Sequence, residues 1–148
     1  MKRDAITALA LLAALSLCTV VSAENSTREG IYTVHHNAIP TAILTPEIAG
    51  SYNIVRSKYR GLLNISVIQE KAGTTGTAVT AEVRAQSINL IGKIQDIAMR
   101  EIREEQAIYY IGEYPIVDNE TLTFNLEVTP SGSEKPIKSS LKQQFFID

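Results

Sequence analysis

Apolar and polar residues alternate with a period of two along most of this chain, the spacing that gives an extended strand one buried and one solvent-facing side. In Ile31 to Ala38, one face carries Tyr32, Val34, His36 and Ala38, and the other carries Ile31, Thr33, His35 and Asn37. Arg60 to Ile68 groups Leu63, Ile65 and Val67 on one side. Thr121 to Val128 sets Leu122, Phe124, Leu126 and Val128 against Thr121, Thr123, Asn125 and Glu127. Leu141, Gln143, Phe145 and Ile147 read as the return strand of a hairpin whose loop is Pro130 to Pro136. Val79 to Leu90 places Ala81, Val83 and Ala85 opposite Glu82, Arg84 and Gln86, then changes parity at Ile88 and Leu90, which suggests a β-bulge or a break into two strands. Ala107 to Ile116 is densely apolar and suits a central strand covered on both sides.

Other segments punctuate or oppose this pattern. Thr45-Pro46-Glu47 combines a capping hydroxyl, a proline suited to a first helical turn and an acid near the positive helix end, which predicts one or two turns ending near Gly50. Gly73 and Gly76 mark a turn within Lys71 to Thr77. Ile94 to Glu105 repeats Ile94, Ile97, Ala98, Ile102 and Glu105 at helical spacing. It also alternates Ile97, Met99 and Glu101 with Asp96, Ala98 and Arg100, and its neighbours all read as strands, so sheet pairing is expected. Together these predict an all-β, single-domain antiparallel β-sandwich of about seven strands, immunoglobulin- or fibronectin-like, with one short helix near 45–50. A small closed barrel is the alternative.

The first 23 residues follow a different rule. Met1-Lys2-Arg3 opens a basic start, Ala5 to Val21 is an apolar run, and Val21-Ser22-Ala23 ends it in small residues, as in a secretory signal peptide cleaved after Ala23. A spanning helix needs about 20 apolar residues, and this run is shorter and carries Thr7, Ser16 and Thr19. Leu17 before Cys18 disfavours a lipid anchor. The expected organisation is a signal peptide at 1–23, a flexible leader at 24–29 and the sandwich at 30–148, with the product in the periplasm.

Removing residues 1–23 takes away Lys2, Arg3, Asp4 and Cys18, the only cysteine, and moves the formal net charge from −2 to about −3. Without a disulfide, packing and strand ladders must hold the fold. A net-acidic domain lacks the concentrated positive charge that nucleic acid requires. Asn-x-Ser/Thr triplets at Asn25, Asn64 and Asn119 read as chance, Asn64 lying within an apolar run.

The stretches Gly30-Ile31-Tyr32-Thr33-Val34-His35-His36-Asn37-Ala38, Leu44-Thr45-Pro46-Glu47-Ile48-Ala49, Ile54-Val55-Arg56-Ser57-Lys58, Leu63-Asn64-Ile65-Ser66-Val67, Arg100-Glu101-Ile102-Arg103-Glu104 and Ala107-Ile108-Tyr109-Tyr110, in that order, resemble domain of unknown function family 4426, small secreted proteobacterial proteins. The resemblance extends over essentially the whole chain after the signal segment. It implies a signal peptide and one β-rich periplasmic domain, and it supplies no activity. The family more often carries tyrosine where this chain has His36.

Candidate chemistry is sparse. His35 and His36 are the only histidines. Adjacent strand residues face opposite ways, so they cannot readily share a metal ion, and His35 alone is a weak candidate ligand. Arg56, Lys58 and Arg60 would line one face if extended, suiting an anionic ligand, although pairing with Glu101, Glu104 and Glu105 is the blander expectation. Tyr109, Tyr110 and Tyr114 are a candidate aromatic recognition surface, Tyr110 and Tyr114 sharing a strand face with Gly112 between them, or, more simply, core. No phosphate-loop ending, nucleophile elbow or zinc-protease motif occurs. The chain is therefore expected to be a non-enzymatic binding or accessory module of the cell envelope, engaging an envelope protein or peptide and needing no cofactor. A carrier holding a small apolar ligand or lipid in a sandwich or barrel cavity is the alternative, and an enzyme comes third.

Overall fold

The computed structural model describes residues 25–148, so the signal segment and its cleavage after Ala23 lie outside the described residues. Ten strands form two antiparallel sheets. The first runs β1 (Ser26–Glu29), β2 (Tyr32–Pro40), β3 (Arg60–Gln69), β8 (Ala107–Pro115), β7 (Arg100–Glu104), and β4 (Thr77–Ala78) continues the edge of β3 beyond the reach of β8. The second runs β10 (Ile137–Phe145), β9 (Glu120–Pro130), β5 (Ala81–Asn89), β6 (Ile94–Ile97). This is an antiparallel β-sandwich of immunoglobulin-like build, with three short strands more than the seven the alternation outlined.

The alternating residues meet where expected. Val34, Leu63, Ile65 and Val67 of the first sheet face Leu122, Phe124, Leu126 and Val128 of β9, all buried. Tyr114, Phe124 and Phe145 pack edge to face, with centroids 4.8 Å apart for Tyr114–Phe124 and 5.8 Å for Tyr114–Phe145. A second, smaller cluster lies outside the first sheet. There α1 (Pro46–Ser51) lays Ala49 over Ile54, Leu62 and Ile111. Thr45 caps α1 by accepting the Ile48 amide proton at 3.3 Å.

Three expectations require correction. Residues 26–29 are not a loose leader, because they pair with β2 in register from Ser26↔His35 to Glu29↔Tyr32, and Thr27 Oγ1 lies 2.6 Å from Ser139 Oγ of the other sheet. Short polar strands carry no periodicity to read; pairing with β2 and the Thr27 contact to Ser139 order this one. Val79 to Leu90 contains no bulge. β5 keeps one register with β9 from Ala81↔Pro130 to Asn89↔Leu122, its inward face continues through buried Ser87, and the parity change arises because Ile88 and Leu90 point outward. Ile94 to Glu105 does pair in sheets, but in two of them. β6 joins the second sheet through Ile94↔Ile88 to Ile97↔Ala85, the chain crosses at Ala98-Met99, and β7 joins the first through Arg100↔Ile111 to Glu104↔Ala107.

That crossing leans on Gly112 of β8. A Cβ there would lie 2.5 Å from Met99 Sδ, 2.6 Å from Ile97 Cγ2 and 2.9 Å from the Ala98 carbonyl oxygen. Tyr110, two residues earlier, closes the same side. Its hydroxyl accepts the Ala81 amide proton at 2.8 Å and donates to Glu101 Oε2 at 2.9 Å, tying β5 to β7.

Candidate functional site

Side chains opposite the sandwich core build a cleft on the outer face of the first sheet. Cross-strand register sets Asn37 beside Asn64 and Ile39 beside Leu62 on β2 and β3, Asn64 beside Ile111 on β8, and Tyr109 beside Ile102 on β7. The α1 segment supplies the wall with Leu44, Ile48, Tyr52 and Ile54, and Glu104 stands at the rim. The cleft is open to solvent on one side and has a volume of about 260 Å³.

The segment forming this wall is fixed by polar contacts to its own backbone. Thr41 Oγ1 donates to the Val55 carbonyl at 2.9 Å and accepts the Ser57 amide proton at 2.9 Å. Arg56 Nε donates to the Leu44 carbonyl at 2.7 Å and its Nη2 to the Ala42 carbonyl at 3.3 Å. Arg100 donates to the Tyr52 carbonyl and so joins the wall to β7.

Inside the cleft, Asn64 Oδ1 is buried without a hydrogen-bond partner. An acceptor left this way costs its desolvation, about 1–3 kcal/mol, unless something else supplies a proton. At the rim the Glu104 carboxylate, hydrogen-bonded to the Tyr52 phenol, raises the pKa of that phenol. None of the lining residues is Ser, Cys, Thr, His or Lys, so the arrangement offers apolar contact, two amides, two phenols and one carboxylate rather than a nucleophile beside a base.

Of the residues singled out from the sequence, Tyr109 lines the cleft and the others go elsewhere. Arg56, Lys58 and Arg60 do not form a strip, since the first two lie in the loop before β3. Arg56 is the clamp just described. Lys58 Nζ donates to the Asp148 carbonyl at 3.2 Å and lies 5.4 Å from the Tyr59 ring centroid. Arg60 pairs with Glu113 at 3.1 Å rather than with Glu101, Glu104 or Glu105. Tyr110 and Tyr114 are core, only 5% and 3% exposed. The space left by Gly112 is filled by Ile97 and Met99.

His35 is exposed on the outer face and His36 is 3% exposed on the inner one, as strand alternation requires. Among the described residues no group of three or more His, Cys, Asp or Glu side chains is placed to hold a metal ion. Both ring nitrogens of His36 lack partners. Burial first, and the neighbouring His35 second, hold its pKa below the usual histidine value. The unfolded chain binds a proton near pH 6.5 that the folded imidazole resists. Stability should therefore fall as pH drops below about 6.5, by at most about 1.4 kcal/mol per pH unit from this group, until the folded imidazole itself titrates. Urea midpoints at pH 7 and pH 5 should separate by more for the wild type than for His36→Leu; equal separations would contradict this.

The cleft was missed in the sequence because the signal is doubled apolar positions, Leu62-Leu63 and Tyr110-Ile111, which alternation treats as noise. Only the expectation that Ala107 to Ile116 is covered on both sides pointed toward it. Asn64, buried at the cleft, is the middle member of the three Asn-x-Ser/Thr triplets.

Comparison with known proteins agrees with this architecture. The family model for domain of unknown function DUF4426 matches residues 26–148. The crystal structure of a DUF4426 family protein from Pseudomonas aeruginosa PAO1 is similar, with 32% identity, a TM-score of 0.69, and coverage of 83% of this chain and 94% of that one. FetP of uropathogenic Escherichia coli strain F11, expressed in the periplasm of its host, has a TM-score of 0.59 at 10% identity over 82% of this chain and 92% of its own. A copper-bound variant of FetP gives the same score and identity over 81% and 93%. No curated protein matches the chain.

Proposed function

The chain belongs to the DUF4426 family, whose function is unknown, so its role has to be read from its own residues, and we propose that it is a periplasmic, non-enzymatic binding module that takes an apolar side chain of an envelope protein or peptide into the α1 cleft. The observation that carries this reading is an apolar recess with one unpartnered acceptor, Asn64 Oδ1, inside it. A ligand that fills the recess and donates one proton relieves that cost. The volume, about 260 Å³, suits one large side chain better than a whole small molecule, whose pockets usually span roughly 300–1,000 Å³. Anchoring by one buried side chain is also how interfaces concentrate their energy.

The carrier reading is less favoured, because Phe124, Phe145, Leu63, Ile65 and Leu126 fill the sandwich interior. Periplasmic location is supported by the N-terminal pattern. Copper does not transfer with that likeness: at 10% identity it concerns the fold, and His35 and His36 point to opposite faces.

A photo-crosslinker at Ile48, exposed on the cleft wall, should capture a discrete partner in cells. Ile102→Trp, which fills the recess, should reduce that capture at least about ten-fold, equivalent to about 1.4 kcal/mol. Undiminished capture by a folded Ile102→Trp protein would exclude the cleft. A bound small molecule seen by native mass spectrometry would favour the carrier instead.

A further inference from the structure

We propose that the turn between β5 and β6 is a lipid-contact element, separate from the cleft, that places Leu90 and Ile91 in the surface of a membrane. These are the most exposed large apolar side chains among the described residues, at 78% and 87%. Behind them Ile88 and Ile94 stand directly opposite each other on the outer face of the hairpin. Val117 and Phe146, also exposed, lie at the same end of the sandwich, where β8 and β10 end and β9 begins.

The backbone of the turn is prepared for a medium without water. Asn89 Oδ1 accepts the amide protons of Ile91 at 3.2 Å and Lys93 at 2.9 Å, and the Asn89 carbonyl accepts that of Gly92 at 3.0 Å. The Asn89 amide donates in turn to the Lys93 carbonyl at 3.2 Å. The donors of residues 91 to 93 are therefore satisfied inside the turn, which lowers the cost of setting this backbone against an apolar phase. Gly92, at φ +81°, permits the tight reversal.

Charge selects lipid over protein as the occupant. Lys93 closes the turn opposite Asn89, and Lys142 lies in the row behind it, beside Thr123, which faces Ile88; the carboxylates at this end are turned to backbone, Asp118 accepting the Ile147 amide proton and Glu120 that of Val117. Asp96, the carboxylate two rungs back, is held by the Gln86 amide at 2.7 Å. Two aliphatic chains on a convex tip flanked by lysines complement acyl chains under phosphate headgroups. Protein interface centres are instead enriched in aromatic residues and arginine, which this tip lacks. Two side chains give reversible contact, not an anchor.

The test is flotation of the exported protein, its start confirmed by intact mass, with vesicles of phosphatidylethanolamine and phosphatidylglycerol. Wild type should float, and Leu90→Ser combined with Ile91→Ser should lower the bound fraction at least ten-fold with an unchanged melting temperature. Lys93→Glu should weaken binding to these vesicles and not to phosphatidylcholine. Failure of the wild type to float, or equal flotation of the double variant, would overturn the proposal. A crosslinker at Ile91 that joins the chain to protein and not to lipid in cells would overturn it too, assigning the tip to protein docking.

Discussion

Gly112→Val is expected to leave the domain largely unfolded, and Gly112→Ala to cost it about 1–3 kcal/mol. At this position β8 has no side chain because the chain changes sheets across it. Met99 can swing away from a new methyl group, since its thioether is flexible. The Ala98 carbonyl, 2.9 Å from the added carbon, and Ile97, buried in the core, cannot move without lifting β6 or β7 from its sheet. Met99→Ala should therefore restore Gly112→Ala only in part. Gly50→Ala, on helix α1 with open space around it, should be neutral or stabilising by about 0.5–1 kcal/mol and is the matched control. Urea unfolding reads all three, and a wild-type midpoint for Gly112→Ala would mean that the crossing does not depend on that glycine.

Phe124→Ala should cost about 3–5 kcal/mol, because the ring is fully buried between Tyr114 and Phe145 and its loss leaves a cavity between the sheets. Its neighbour should respond with the opposite sign. The Tyr114 hydroxyl is buried without a partner, and burial alone pushes its phenol pKa far above the ordinary range. Tyr114→Phe removes that unpaired group and should gain about 1 kcal/mol. Destabilisation by Tyr114→Phe would show that the hydroxyl has a partner in solution; a Phe124→Ala protein as stable as wild type would show that this aromatic trio is not the centre of the core.

The strands that could be read from the sequence are those with one buried face. In β2 and β9, solvent on the outer side keeps the period of two visible, and Val34 and Phe124 lie where alternation puts them. Legibility fails where a strand meets other demands. β1 is short and polar, and its order comes from pairing with β2, which local sequence does not record. Ile88 and Leu90 broke the parity of β5 although its backbone stays regular, since an exposed aliphatic side chain looks to a periodicity like a turn of the strand. Ile94 to Glu105 carried both periods because its inward face changes from one sheet to the other at Ala98-Met99.

For the candidate site, residue type was a poorer guide than environment. Arginines, lysines and tyrosines attract attention as interface formers, yet here Arg56 fastens a loop and Tyr110 joins two strands. The cleft is made mostly of isoleucines, leucines and asparagines, with Tyr52, Tyr109 and Glu104, and these become a site only when α1 folds back over β3 and β8. No spacing in the chain encodes that return. It rests on Thr41 and Arg56 donating to carbonyl groups of the loop and on Thr45 accepting the Ile48 amide proton.

The most direct measurement is amide-shift mapping of isotopically labelled protein titrated with the partner captured from Ile48. Shifts concentrated at Asn37, Ile48, Asn64, Ile102 and Tyr109, and lost with Ile102→Trp, are expected if the α1 cleft is the binding site. Shifts confined to other surfaces, with these five unmoved at saturation, would contradict it.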